Sequence, residues 1–404
     1  MATERAYWLA WSRLKGIGPV TLKHLWERFG QLEAAWYASP KMLLEVDGIG
    51  LLSAEKIAAQ RPEIDPEKLL DEHESDNRAF WTPADADYPA LLFAINDPPP
   101  VLYYRGALRL NEVNALSVGI VGTRRPSSYG RRWTQRLSGR LAQQGVVVVS
   151  GLAAGIDAVA HASCLQHGGL TVAVLGTGVD VAYPLQNRRL QMEIAEKGLV
   201  ISEYPDGTGP DKTHFPRRNR IIAGLSRALM VTEAPTKSGS LITSRLANEY
   251  CREVYALPCD LDNAQGAGNL NLIVQGAQLI VGEQSLIDAL SELPPVDDVL
   301  PQTQLSQRQP SQTQSGKSQT QSGITQPEMT PTSLSTSWAT DDSVVPELSP
   351  MMAQVLGAVS MGPTILDHIV QITQMETGQV LAALVQLELL GLVTQLPGMQ
   401  YQRG

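Results

Sequence analysis

The central region of this chain predicts an α/β fold built on a doubly wound parallel sheet, and three observations carry that reading. Short apolar runs recur at 118–122, 146–150, 171–176, 199–203, 228–233, 253–257 and 278–282. Helix-patterned stretches separate most of them, so successive runs read as parallel strands joined by crossover helices. Small-residue turns follow several runs, at the strand ends where open α/β sheets place their ligands. Around this region the predicted layout is a helical domain over 1–74, the α/β domain over 75–294, a linker over 295–346 and a winged-helix domain over 347–404.

Composition bounds the function. At 404 residues the chain exceeds one typical domain, and its 43% hydrophobic residues suffice for ordinary cores. No run of about 20 apolar residues occurs, so no membrane span is expected. The start, MATERAYWLAWSRLKG, carries charges early and no apolar core, unlike a secretory leader. Cys164, Cys251 and Cys259 are odd in number and lack metal-site spacing, which suggests a reducing, cytoplasmic setting. The net charge is −9, yet between Ser117 and Arg252 there are 17 Lys and Arg against 9 Asp and Glu. A basic centre between acidic flanks is a cue to a polyanionic partner.

In chain order, residues 3–71 show apolar positions at helical spacing, among them Trp8, Trp11, Leu22, Leu25, Trp26 and Phe29. Two turns of one type, Leu14-Lys15-Gly16-Ile17-Gly18 and Val46-Asp47-Gly48-Ile49-Gly50, each lead into a helix. They resemble helix-hairpin-helix turns, which aim backbone N–H groups at a nucleic-acid phosphate; closing helical hairpins in a packing domain explains them equally well. Residues 79–106 are proline-rich and aromatic, with a strand at Val101 to Tyr104 laid against the sheet that follows.

The first βαβ unit runs from Ser117 to Val149. Its turn, Gly122-Thr123-Arg124-Arg125-Pro126-Ser127-Ser128, lacks the G-x-G-x-x-G dinucleotide order, but its arginines and hydroxyls suit a phosphate at a helix N-terminus. The turn Ser150 to Asp157 is small enough for close approach; Asp157 reads as a helix-start acceptor with His161 as its i+4 neighbour. Lys212, Phe215, Arg217, Arg218, Asn219 and Arg220 crowd the start of one helix, where cations meet a flat ring on which a base could stack. The segment Glu233 to Thr243, with Lys237, Ser238, Gly239 and Ser240, is a second hydroxyl-rich turn that lacks P-loop order. No catalytic constellation, metal cluster or cofactor motif emerges, so no enzyme is predicted and no cofactor is expected.

Residues 301–345 are almost all Gln, Ser, Thr and Pro, too polar to offset chain entropy, and read as a disordered tether. After it, helices over 351–359, 364–373 and 376–390 and a terminal hairpin form a winged-helix pattern. The third helix, ETGQVLAALVQLELL, has no Lys or Arg, which favours protein contact or packing over duplex reading.

The blocks GIVGTRRPSSYG, VVSGLAAGIDAVAH, AVLGTGVDVAYPLQNRRL, ISEYP, HFPRRNRIIAGLS and EAPTKSGSLITSRLA, in this order, resemble the DNA-processing protein A family (DprA, also called Smf). The resemblance implies an extended Rossmann-like centre with an N-terminal helix-hairpin-helix (SAM-like) domain and a C-terminal winged helix. It also implies a homodimer, without known catalysis, that binds and protects single-stranded DNA and helps load the RecA recombinase in natural transformation. By position it assigns the DNA pocket to Arg124, Asn187, Arg188, Lys212, Arg217, Asn219, Arg220 and Lys237 to Ser240; Arg125, Ser127, Phe215 and Arg218 join them from the residue reading above. Two places depart from the family's pattern, Pro258-Cys259 where Pro-Gly is usual and Leu270 at an asparagine position, both in the segment expected to make the dimer contact. The rival is an enzyme resembling the nucleoside-monophosphate phosphoribohydrolases, which share the core but carry a PGGxGT-type turn that is missing here.

Overall fold

The structure is a computed structural model that describes residues 3–77, 79–106, 116–293, 350–360, 362, 364–375, 377–389, 392–396 and 400–403. They fall into two compact units, one ending at 293 and one beginning at 350. The expected tether over 295–346 lies outside the described residues.

The larger unit is organised by a nine-stranded sheet: β1 (Phe80–Trp81), β2 (Leu102–Gly106), β3 (Ser117–Gly122), β4 (Val147–Ser150), β5 (Thr171–Leu175), β6 (Leu199–Ser202), β7 (Ala228–Glu233), β8 (Glu253–Ala256) and β9 (Gln278–Leu279). Their spatial order is β1-β2-β6-β5-β4-β3-β7-β8-β9. The strands from β6 to β9 pair in parallel, whereas β2 joins β6, and β1 joins β2, antiparallel. Strands β3 to β7 read as continuous apolar runs because both faces of the sheet are covered. Helices Ser128–Gln143, Ile156–Gln166 and Glu283–Ser291 bury Leu137, Leu141, Cys164 and Leu286 against Val118, Ile120, Val148 and Met230 on one face. Helices His214–Leu225 and Ser240–Glu249 bury Ile221, Ile222 and Ala247 against Val121, Val147, Val149 and Val231 on the other.

The strand order reverses between β3 and β7. From β3 the chain crosses to β4, and from β7 it crosses to β8 in the opposite direction. A crevice therefore opens at the C-terminal ends of these two strands, where the basic turns converge.

The helical segment begins with helices Glu4–Arg13 and Pro19–Phe29, and helices Leu51–Gln60 and Pro66–Asp76 follow further on. Gly16 (φ +90°) and Gly48 (φ +87°) turn the chain into the second and third of these. The segment packs directly on the α/β part: Phe93 meets Trp26 and Trp8 edge-on, with centroids 4.9 and 6.3 Å away. Lys23, itself buried, donates to the carbonyls of Ala94 and Ile95.

The smaller unit has helices Pro350–Ala358, Leu366–Thr373 and Thr377–Leu389, with β10 (Thr364–Ile365), β11 (Val393–Leu396) and β12 (Gln400–Arg403) in the order β10-β12-β11. Val355, Ile369, Val380, Leu384 and Leu387 form its core. The turn expected around Pro397 and Gly398 lies outside the described residues.

Candidate functional site

A cleft of about 570 Å3 lies over the β3–β7 crevice, lined among others by Arg124, Lys212, Phe215, Asn219, Lys237 and Ser240. Three of the turns read as basic in the sequence meet there, because each follows a parallel strand and opens toward the same edge of the sheet. Arg124, Lys212 and Lys237 are exposed, and among the described residues none of the three has a carboxylate within ion-pair distance. Ser238 and Ser240 pair hydroxyl to hydroxyl at 2.6 Å, and Asn219 reaches the carbonyl of Gly239 at 3.4 Å. The first of these bonds closes the turn that begins helix 240–249, and the second ties helix 214–225 to it.

Phe215 is half-buried at the cleft wall, and its ring stacks on Tyr183 with centroids 5.3 Å apart and planes 29° apart. The Arg124 guanidinium lies 5.8 Å from the Phe215 centroid, within cation–π reach. Tyr183, 39% exposed, is a site residue that the sequence reading missed. Its one signal was an aromatic residue in the turn after β5, VDVAYPLQN.

Beneath the cations lies a buried polar floor. Arg218 is buried and donates to the Gly151 carbonyl at 2.9 Å. Gly151 leaves room for this placement, since a Cβ there would stand 1.4 Å from Arg218 Nη1 and push the guanidinium aside. Burial pulls the Arg218 guanidinium down to about 10, partly offset by Asp157, so it stays charged at neutral pH. Burial raises the Asp157 carboxyl, while the Arg218 charge and backbone N–H donors work against that rise. Asp157 accepts from Ala153 N at 3.3 Å, the helix-start role expected of it. His161 points inward instead and bonds Thr171 Oγ1 at 2.7 Å. That hydroxyl spends its proton on the Val148 carbonyl, so His161 Nδ1 is the donor; burial lowers the ring to about 3, and it is neutral.

Several expected residues stand elsewhere. Ser127 is not open to a phosphate: its N–H and its hydroxyl donate to the Glu233 carboxylate at 2.7 and 2.6 Å. The anion at that helix N-terminus is thus the protein's own. Arg220 is buried and bridges Glu203 at 2.5 Å and Asp97 at 3.0 Å, so it braces the fold and does not face the cleft. Asn187 is also buried and donates to the carbonyl of Leu152, a residue held at φ +54°. Arg217 is exposed but lines a separate cleft beside the Gly18-Pro19 turn. Arg125 lines a neighbouring groove with Arg124, and Arg188 is exposed at the start of helix 188–197.

A family model described as DNA recombination-mediator protein A matches residues 79–291, more than half of the chain. Protein Smf of Synechocystis is 49% identical over 403 residues, covering 99% of both chains. The chain belongs to the DNA recombination-mediator protein A family. A second model, the DprA winged helix domain, matches residues 339–399. DNA processing protein DprA of Bacillus subtilis is 41% identical over 51% of this chain and 69% of its own length. The X-ray structure of DNA processing protein A from Streptococcus pneumoniae superposes with TM-score 0.62 at 35% identity, covering 73% of this chain and 99% of that one.

Against this family background, the departures noted in the sequence fall beside β7 and β8. Asn269 is fully buried and its amide joins the carbonyls of Val231 and Leu257. Cys259 is half-buried against Gly266, where a Cβ would meet its sulfur at 2.4 Å. The enzyme reading is not favoured: Glu233, the carboxylate at the end of β7, is 1% exposed and engaged by Ser127. Among the described residues no cluster of three or more His, Cys, Asp or Glu could hold a metal, and no helix is long and apolar enough to cross a membrane.

Proposed function

We propose that this chain is a recombination mediator that binds single-stranded DNA in the β3–β7 cleft, protects it and helps load a RecA-type recombinase. In this reading it works in the cytoplasm as a homodimer, by binding and not by catalysis. One observation carries the reading: three cations without ion-pair partners among the described residues, Arg124, Lys212 and Lys237, share one cleft with a stacked aromatic pair at a sheet switch point. Cations that hold phosphates beside a ring that holds a base are the elements of sequence-tolerant single-strand binding, in which each stacked base contributes ~1–3 kcal/mol. Arg218 supplies fixed positive charge from below, with Gly151 making room for it. Arg220, Asn187 and Ser127 act in this account as supports.

The test is a fluorescence-anisotropy titration of oligo-dT and of a duplex of equal length at two salt concentrations. Tight, salt-sensitive preference for the single strand supports the proposal, and absence of binding at low salt rejects it. Sedimentation equilibrium tests the homodimer. The rate of RecA filament nucleation on single-stranded DNA, with and without this protein, tests the loading role, and cell fractionation tests the compartment.

A further inference from the structure

A second basic surface adjoins the cleft and is not explained by it. The first half of helix Ser128–Gln143, the whole length of helix Ile156–Gln166 and the segment from Gln186 to Leu190 border a groove of about 570 Å3, within the range of ligand-binding clefts. Arg124, Arg125 and Arg131 line it together with the amides of Gln135, Gln166 and Gln186, and no carboxylate does. Among the described residues Arg125 and Arg131 have no acidic partner, whereas Arg136, about a turn and a half beyond Arg131 on the same helix, is paired with Glu283. Small side chains, including Ala158 and Ala162, line it as well.

The groove and the cleft adjoin. Arg124 lines both, and a small cavity of about 70 Å3 between them shares Arg124 and Ala154 with the groove. The same cavity shares Tyr183, Phe215 and Arg218 with the cleft.

We propose that this groove is a second seat for the same DNA strand, which leaves the first cleft around Arg124 and continues across Arg125 and Arg131. The inference rests on the reading of the first cleft as a single-strand site. Its chemistry fits a nucleic-acid strand because the arginines offer paired donors to phosphate oxygens, while the glutamine amides offer both donors and acceptors to base edges. An acidic protein segment would use the arginines but leave the acceptors idle.

The experiment uses the full chain and two oligo-dT lengths, about 5 and about 16 nucleotides, which bracket the site sizes of single-strand binders. The Arg125→Ala/Arg131→Ala variant should bind the longer oligonucleotide about tenfold more weakly and the shorter one within about twofold of wild type. Because this variant neutralises two fewer phosphates, the salt slope for the longer oligonucleotide should flatten by about 1.4. Ala162→Glu, which puts a carboxylate into the groove lining and leaves every arginine in place, should reproduce the length-dependent loss. Arg131→Lys in an otherwise wild-type chain, which keeps the charge, should retain most of the wild-type slope. Melting temperatures equal to wild type show that each variant folds, and a variant that melts early is replaced by Gln166→Glu at the groove edge, with the same expectation.

Equal loss at both lengths, or wild-type affinity for the longer strand, overturns the second seat. Wild-type protein that binds both lengths with one affinity and one salt slope also overturns it, and leaves the first cleft standing. Wild-type protein that binds neither removes the first cleft, and this proposal falls with it.

Discussion

Two helix N-termini lie at the same edge of the sheet, after the adjacent parallel strands β3 and β7, and they are chemically opposite. The helix that begins at Ser128, after β3, is closed by the Glu233 carboxylate, which takes the Ser127 N–H and hydroxyl. The helix that begins at Ser240, after β7, has Lys237 and Ser238 ahead of it and no carboxylate in its first turn. Each carries about half a positive charge from its peptide dipoles. At the first end that charge is matched within the fold, and at the second it adds to a cleft that is already basic. A hydroxyl-rich glycine turn between strand and helix therefore marks a site only when the neighbouring strand does not supply the anion. Here β7 does both: its last residue seals one end, and the turn after it opens the other.

The largest effect is expected from an arginine whose charge, like that of the first end, is matched within the fold. Arg220→Ala should leave Glu203 and Asp97 without their cation and lower stability by about 3–5 kcal/mol in urea unfolding. Oligo-dT affinity of the fraction that stays folded should be unchanged; a stable Arg220→Ala protein with weakened binding would break the division into sealed and open groups.

Acid should act on the sealed interior in the same way. His73 is lowered to about 4, chiefly by burial and then by Arg13, and His161 to about 3 by burial and then by Arg218. Both bind fewer protons folded than unfolded, so the stability they confer is complete above about pH 6.5 and is lost as pH falls through their folded values. The loss on full titration is on the order of 3 kcal/mol for His73 and about 5 kcal/mol for His161. Melting temperature should fall between pH 6.5 and 4, while single-strand affinity stays level between pH 6.5 and 8.5. A pH-dependent affinity in that upper window would place a titrating group in the cleft.

A smaller change sharpens the comparison at its centre. Glu233→Gln keeps the shape and removes the charge at the sealed end, and should cost about 1–2 kcal/mol of stability. Binding should stay within about twofold of wild type. Lys237→Ala at the open end should do the reverse, with stability within about 0.5 kcal/mol and affinity several-fold weaker.

Much of this was legible in the sequence. Seven apolar runs gave the strands of the parallel sheet because buried parallel strands have no polar face to alternate with. The order of basic turns along the chain placed Arg124, Lys212, Phe215 and Lys237 on one edge, because every strand in that set points the same way. What stayed hidden depends on partners distant in sequence. Ser127 looked free because its partner, Glu233, lies 106 residues away. The run from Arg217 to Arg220 looked like one basic patch, yet a helix turns it through about 100° per residue. Arg217 faces solvent, Arg218 the polar floor and Arg220 the Glu203–Asp97 pair. Tyr183, in the turn after β5, escaped because its importance comes from Phe215, on a helix that follows the next strand.

The most direct test of the open cleft is the salt dependence of oligo-dT affinity for the Arg124→Ala/Lys212→Ala/Lys237→Ala variant beside wild type, with melting temperature as the control for folding. Three fewer neutralised phosphates, at about 0.7 each, should flatten the slope of log affinity against log salt by about 2, with an unchanged melting temperature. A wild-type slope in the folded variant would contradict the assignment of these three cations to the strand.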